Sequence, residues 1–386
     1  MNLVPRLHLA LLLLVSSLIG VGCQPSGGGG SSSTGDIVVG EYASLTGKEA
    51  TFGVSSHEGT QLAIQELNAA GGVLGRKFKL VTEDNQSKAG ESATVVNKLI
   101  ARDGAIAILG EVASSRSLEA APICQQAGIP MISPSSTNPK VTETGDFIFR
   151  VCFIDPFQGT VMANFALNTL KAKRIAVFTD VKSDYSKGLA KFFKEGYAKG
   201  DGKVLVELDF NGGDKDFKAQ LTAIKGSNPD AVFLPCYYTD AALICIQARQ
   251  LGLNVPFFGG DGWESDQLVT IGGEAMEGHY FSTHYSPDAG SDKGKEFVAA
   301  YQKAYAGKLP DAMAALGYDS AMILADAIRR VGSTDPKKLK EAIAATKEFH
   351  AVTGNITIDA KRDATKSAVI LQVKDRKFKF IETINP

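Results

Sequence analysis

The stretch Ala105-Ile-Ala-Ile-Leu-Gly-Glu-Val-Ala-Ser-Ser115, "AIAILGEVASS", decides the fold. Five residues without polar alternation read as a strand buried on both faces, and such strands belong to parallel sheets covered by helices. Gly110 ends the run, and Ser114 and Ser115 supply the hydroxyls that suit a helix start. The same unit recurs on either side. Apolar runs at 37–42, 78–82, 130–132 and 147–151 alternate with helical patterns at about 56–70, where Gly71-Gly72 stops the helix, and 89–102.

A second series follows. Asp155-Pro156 starts a helix running to about Lys171, with proline suited to the first turn. Strand-like runs at 174–178, 204–208, 231–235 and 256–258 are separated by helices from about Tyr185, Asp214 and Asp240. Two such series predict an α/β chain of two doubly wound parallel-sheet lobes. Helices at about 292–305, 311–331 and 336–345 need a sheet to cover, so the chain is expected to return to the first lobe near 280–285. It closes on a hairpin-like pair, 355–359 with 368–373. The expected lobes are 36–152 with 283–355, and 153–282 with 356–386.

Composition narrows the function. The 41 basic residues balance 42 acidic ones, which gives no footprint for nucleic acid. Gly47-Lys48 follows a strand, but the spacing is too long for a phosphate loop and Glu49 stands where Ser or Thr is needed. No GxGxxG follows the first strand, no GxSxG elbow occurs, and the histidines lack metal-ligand spacing. No enzyme and no cofactor is expected. Cys124, Cys152, Cys236 and Cys245 permit disulfides in an exported chain or serve as small buried hydrophobes. Cys124 and Cys245 on apolar helix faces favour burial.

In open parallel sheets ligands bind beyond the carboxyl ends of the strands. There the first lobe gathers hydroxyls: Ser114, Ser115 and Ser133-Pro-Ser-Ser-Thr137. The second gathers Tyr237, Tyr238, Asp261 and Trp263. Helix starts and hydroxyls suit a carboxylate, and Asp261 among aromatic rings suits an ammonium. A zwitterion held between the lobes satisfies both.

Taken in order, Ser44-Leu-Thr-Gly47, Gly71-Gly-Val-Leu-Gly-Arg76, Glu83-Asp-Asn85, Ser114-Ser115, Ser133-Pro-Ser-Ser-Thr137, Asp216-Phe217 and Gly317-Tyr-Asp319 resemble the substrate-binding proteins of branched-chain amino acid ABC transporters. The resemblance covers nearly all of the chain from Asp36. It implies the type I periplasmic binding protein fold, with a three-strand hinge and one amino acid closed between two lobes. Carried over, Ser114 and Thr137 would hold the α-carboxylate with backbone near Ser135 and Ser136. Tyr237 and Asp261 would hold the ammonium. Phe52, Ala113, Tyr185, Trp263 and Tyr318 would border the side-chain pocket. Leucine-type members carry a glutamate where Asp261 stands and a tyrosine where Phe52 stands. The cysteine pair that some members have near the pocket is absent, with Ser87 and Ala113 in the matching places. The resemblance implies a monomeric receptor that delivers its amino acid to an ABC permease. Urea, a short amide or an aromatic acid is the alternative ligand, and sensing without transport the alternative role.

The amino terminus adds an address. Arg6, the apolar run 7–19 and the small residues Gly20-Val-Gly22 before Cys23 resemble a bacterial lipoprotein signal, with Gly20 in place of the usual leucine. Residues 1–22 are the expected signal peptide. Cys23 is the expected lipidation site, and the Gly/Ser-rich 23–35 a flexible linker of ~20 Å reach. The chain is thus expected to be exported and to meet the membrane through this anchor alone.

Overall fold

Strands with little polar alternation and helical crossovers build two sheets. The computed structural model describes residues 35–289 and 291–386; the expected signal peptide, Cys23 and the linker up to Thr34 lie outside the described residues. The first sheet holds β1 (Ile37–Ala43), β2 (Phe78–Asp84), β3 (Ile108–Leu109), β4 (Met131–Ser133) and β5 (Ile148–Arg150), ordered β2-β1-β3-β4-β5. All of its pairings are parallel. The second begins with β6 (Arg174–Asp180), β7 (Lys203–Phe210), β8 (Ala231–Phe233), β9 (Phe257–Gly259) and β10 (Tyr280–Thr283), ordered β7-β6-β8-β9-β10 and again parallel. Both orders reverse after their first strand, which puts a crevice at the carboxyl ends of β1/β3 and β6/β8.

The remaining strands correct two expectations. β11 (Phe349–Ala351), β12 (Gly354–Ile358) and β13 (Ala364–Thr365) form a small antiparallel sheet. β14 (Ala368–Lys374) and β15 (Lys377–Ile384) instead extend the second sheet, antiparallel to β10 and to each other. The segments 355–359 and 368–373 therefore do not pair. Ile356, Ile358 and Ala364 pack into the first lobe's core, and Val369 and Ile370 into the second's. The last crossing thus falls near Lys366, about ten residues later than the expected boundary at 355–356. The β3 run is regular over two residues only, although Ile106 N still donates to Val38 O at 3.0 Å and Gly40 N to Ala107 O at 3.0 Å.

The late helices do return to the first lobe. Helix Ala312–Val331 packs along helix Ala50–Ala69. Contact is close at two glycines: a Cβ on Gly59 would lie 1.8 Å from Ala314 O, and one on Gly317 2.2 Å from Ser56 O. Three segments cross between the lobes. Val151 and Cys152 join the first core while Phe153 joins the second. Phe281 belongs to the second while Tyr285 belongs to the first. Ala364 and Ala368 bracket the third.

Arg150, fully buried at the end of β5, ties the 136–142 loop to this framework. Its guanidinium donates to Asn138 O (3.0 Å), Thr142 Oγ1 (2.8 Å) and Ser136 O, and pairs with Asp363 at 2.7 Å. No helix among the described residues is long and apolar enough to cross a membrane.

Candidate functional site

The lobes are closed on one another. Ser115 Oγ donates to Asp184 Oδ2 at 3.0 Å, Asn138 Nδ2 to Asp184 O at 2.7 Å, and Tyr238 OH to Lys48 O at 3.0 Å. Ser114, Ser135, Thr137, Tyr185 and Asp261 are all buried at this face.

On the first lobe, Ser114 opens the helix Ser114–Ala127, with Ala113 as its extended N-cap, and Ser114 Oγ accepts from Asn138 N at 3.2 Å. Ser136 turns its hydroxyl inward, donating to Glu111 O (2.9 Å) and Ser117 Oγ (2.7 Å), so only its backbone remains for a ligand. Thr137 is buried and its hydroxyl has no hydrogen-bond partner among the described residues.

On the second lobe, the Tyr185 and Tyr237 rings stack at 5.2 Å, and the edge of Phe52 meets Tyr237 at 5.7 Å from across the cleft. Tyr185 OH accepts from Gly262 N at 3.0 Å, fixing the turn that carries Asp261. Asp261 Oδ1 accepts from Gln158 Nε2 at 2.8 Å, and its Oδ2 lies 3.0 Å from His284 Nε2 and 3.5 Å from Ser135 Oγ. Burial lowers the His284 pKa, the Asp261 contact opposing it, and the ring stacks on Phe153 at 3.7 Å. A neutral imidazole donating from Nε2 fits this pairing.

Two expected pocket residues are placed elsewhere. Trp263 lies in the second lobe's core, with Nε1 donating to Leu234 O at 3.0 Å. The short 3-10 turn Asp261–Trp263 sends the indole under the sheet while Asp261 faces the cleft. Tyr318 lies in the first lobe's core, donating to Glu66 Oε2 at 2.6 Å between the two long helices. The four described cysteines are free and buried.

Three residues that the sequence reading did not select meet here. Asp155 is fully buried, and neither carboxylate oxygen has a partner among the described residues. Burial pushes its carboxyl up to about 8. Its N–H donates to Thr137 O at 2.9 Å, which brings it against the Thr137 hydroxyl. Gln158, one turn along the same helix, has an unpartnered Oε1. His284 is the third. An acidic residue ahead of Pro156 reads as a helix start, so no sequence signal marked Asp155 and Gln158.

The arrangement therefore gathers at the buried interlobe face unpartnered polar atoms from Thr137, Asp155 and Gln158, a further carboxylate at Asp261, and hydroxyl and amide donors at Ser114. Buried polar groups normally find partners. These ask for a ligand with several N–H donors and an anionic end.

A family profile described as periplasmic binding protein matches residues 36–377. The chain belongs to this family. The amino acid binding protein of Pseudomonas aeruginosa is 32% identical over 373 residues, covering 96% of each chain. Leu/Ile/Val-binding protein homolog 1 of Brucella abortus is 32% identical, covering 86% of this chain and 89% of the relative. Among solved structures, the leucine binding protein LivK of Thermotoga maritima is similar at a TM-score of 0.87 and 44% identity, covering 91% of this chain and 99% of that one. The branched-chain amino acid transporter substrate-binding protein LivJ of Streptococcus pneumoniae, in complex with isoleucine, is similar at 0.86 and 35%, covering 91% and 100%. The family is one of solute-binding receptors, which places the working site outside the cytoplasm.

Proposed function

We propose that this chain is an extracytoplasmic receptor that encloses a single amino acid between its lobes and delivers it to an ABC permease. The carrying observation is the group of buried, unpartnered acceptors at Thr137, Asp155 and Gln158, next to Asp261 and Ser114. In this reading the ammonium lies among Thr137, Asp155 and Asp261. The carboxylate meets Ser114 and the backbone of 135–137, and the side chain lies against Phe52, Ala113, Tyr185 and Tyr237. An aliphatic, branched side chain suits those walls and accords with what the LivK and LivJ relatives are named for. The lobes hinge at the three crossings, at 152–153, 283–285 and 365–367. Closure around a ligand is a hinge motion of the kind such receptors use. Cys23 is proposed as the lipid anchor and the chain as a monomer.

The test is calorimetric titration of refolded, ligand-free protein with the standard amino acids, urea and benzoate. Saturable binding of an aliphatic amino acid, lost by about thirtyfold or more in Ser114→Ala and Asp261→Ala, is the expected result. Binding of urea or benzoate alone would overturn the amino acid reading.

A further inference from the structure

The acceptors that await the ligand's ammonium lie at one end of the cleft. At the other end stands a carboxylate that the reading above does not use. Glu49 precedes helix Ala50–Ala69 as its N-cap residue, yet its side chain makes no capping hydrogen bond. It is 4% exposed, and Oε2 has no partner among the described residues. Oε1 lies 3.5 Å from Lys48 Nζ.

Its surroundings put it on the cleft's side-chain end. Phe52, three residues on, meets Tyr237 across the cleft. Lys48 O and Thr51 Oγ1, flanking Glu49, both accept from Tyr238 OH, at 3.0 and 3.1 Å. Glu49 N donates to Ser87 Oγ at 3.1 Å. Glu111, whose Oε2 accepts from Ala113 N at 2.8 Å, stands close enough that the Glu49 charge raises its pKa, after burial itself. The Glu49 pKa is itself raised by burial, with the Lys48 and Arg116 charges opposing. Tyr237 feels Glu49, Glu111 and Asp261 together. Glu49 thus lies near Phe52 and Tyr237, two of the residues that wall the side-chain end of the cleft in the reading above.

A buried carboxylate oxygen with no donor is costly unless the ligand brings one. Lys48 on the other oxygen and Arg116 nearby already supply positive charge, so the unmet need is one neutral N–H rather than a further cation. We propose that Glu49 is a specificity-determining residue that accepts a hydrogen bond from the end of the ligand's side chain. The receptor's ligand class then extends from aliphatic amino acids to carboxamide ones, glutamine and asparagine. This rests on the reading that an amino acid lies between the lobes.

The experiment titrates refolded, ligand-free full-length protein and its E49V and E49Q variants with leucine, glutamine, asparagine and arginine. Wild type is expected to bind glutamine or asparagine measurably and arginine more weakly. E49V should shift the affinity ratio of amide to leucine toward leucine by about tenfold or more. E49Q, which keeps an acceptor oxygen, should restore most of that ratio. A merely structural Glu49 would weaken every ligand in parallel and leave the ratio fixed. That result, or leucine binding with no binding of either amide, overturns the inference and leaves the receptor reading intact. Failure of every amino acid to bind overturns both.

Discussion

Asp155 makes closing the empty protein expensive, and the size of that cost can be worked out. In the open, hydrated cleft its carboxyl should titrate near its ordinary value of 3.8, whereas burial between closed lobes pushes it up to about 8. At pH 7 the open form is charged and the closed, empty form must take up a proton. At ~1.4 kcal/mol per pH step, that uptake costs about 4 kcal/mol. The sign is fixed by the direction of the shift. Empty closure is unpenalised below about pH 4, becomes harder as pH rises towards 8, and levels off above it. A ligand ammonium removes the penalty by letting the carboxylate stay ionised. Asp155→Asn removes it without ligand, moving the ligand-free equilibrium towards closed by roughly a thousandfold at pH 7. Small-angle scattering on ligand-free protein between pH 4.5 and 8.5 measures it. Wild type should become more compact as pH falls, and Asp155→Asn should be compact throughout. Identical, pH-independent radii for the two proteins would refute the reasoning.

Two further outcomes are expected. Arg150→Met leaves Asp363 buried without its partner and frees the 136–142 loop, so it should cost about 3–5 kcal/mol in urea unfolding; a loss under ~1 kcal/mol would contradict the framework role. Tyr318→Phe removes one hydrogen bond to Glu66 and should cost about 1 kcal/mol of stability with ligand affinity unchanged within about twofold. A tenfold affinity loss would return Tyr318 to the pocket.

The parallel architecture was legible because central strands carry no polar alternation, and the hydroxyls at their ends pointed to the cleft by polarity alone. Several of the motifs that carried the resemblance turn out to be scaffold. Asp84 accepts from Leu45 N, Thr46 N and Gln86 N, holding the loop after β1. Gly317 lets two helices touch, and Asp319 accepts from Val352 N and Thr353 N. What was not legible lay in orientation. Helix Ala312–Val331 is buried on nearly every side, so its periodicity could not say that Tyr318 faces Glu66 rather than the cleft. A 3-10 turn reverses Trp263 relative to Asp261, two positions away. Asp155, Gln158 and His284 come from the crossings, where side chains far apart in sequence converge and no spacing records it. The closing strands were mispaired because short apolar runs of similar length fit either neighbour, and only the core behind them chooses.

The free cysteines bear on how closure could be watched. Burial raises all four thiol pKa values, Cys152 to about 12, so almost no thiolate forms at neutral pH and alkylating dyes have little to attack. A lipid on Cys23 would consume the remaining thiol. A cysteine placed at exposed Lys88 on one lobe and another at exposed Lys182 on the other would then be the reactive pair. Without removing any native cysteine, the protein can be turned into a two-colour distance gauge whose signal is the opening and shutting of its own cleft.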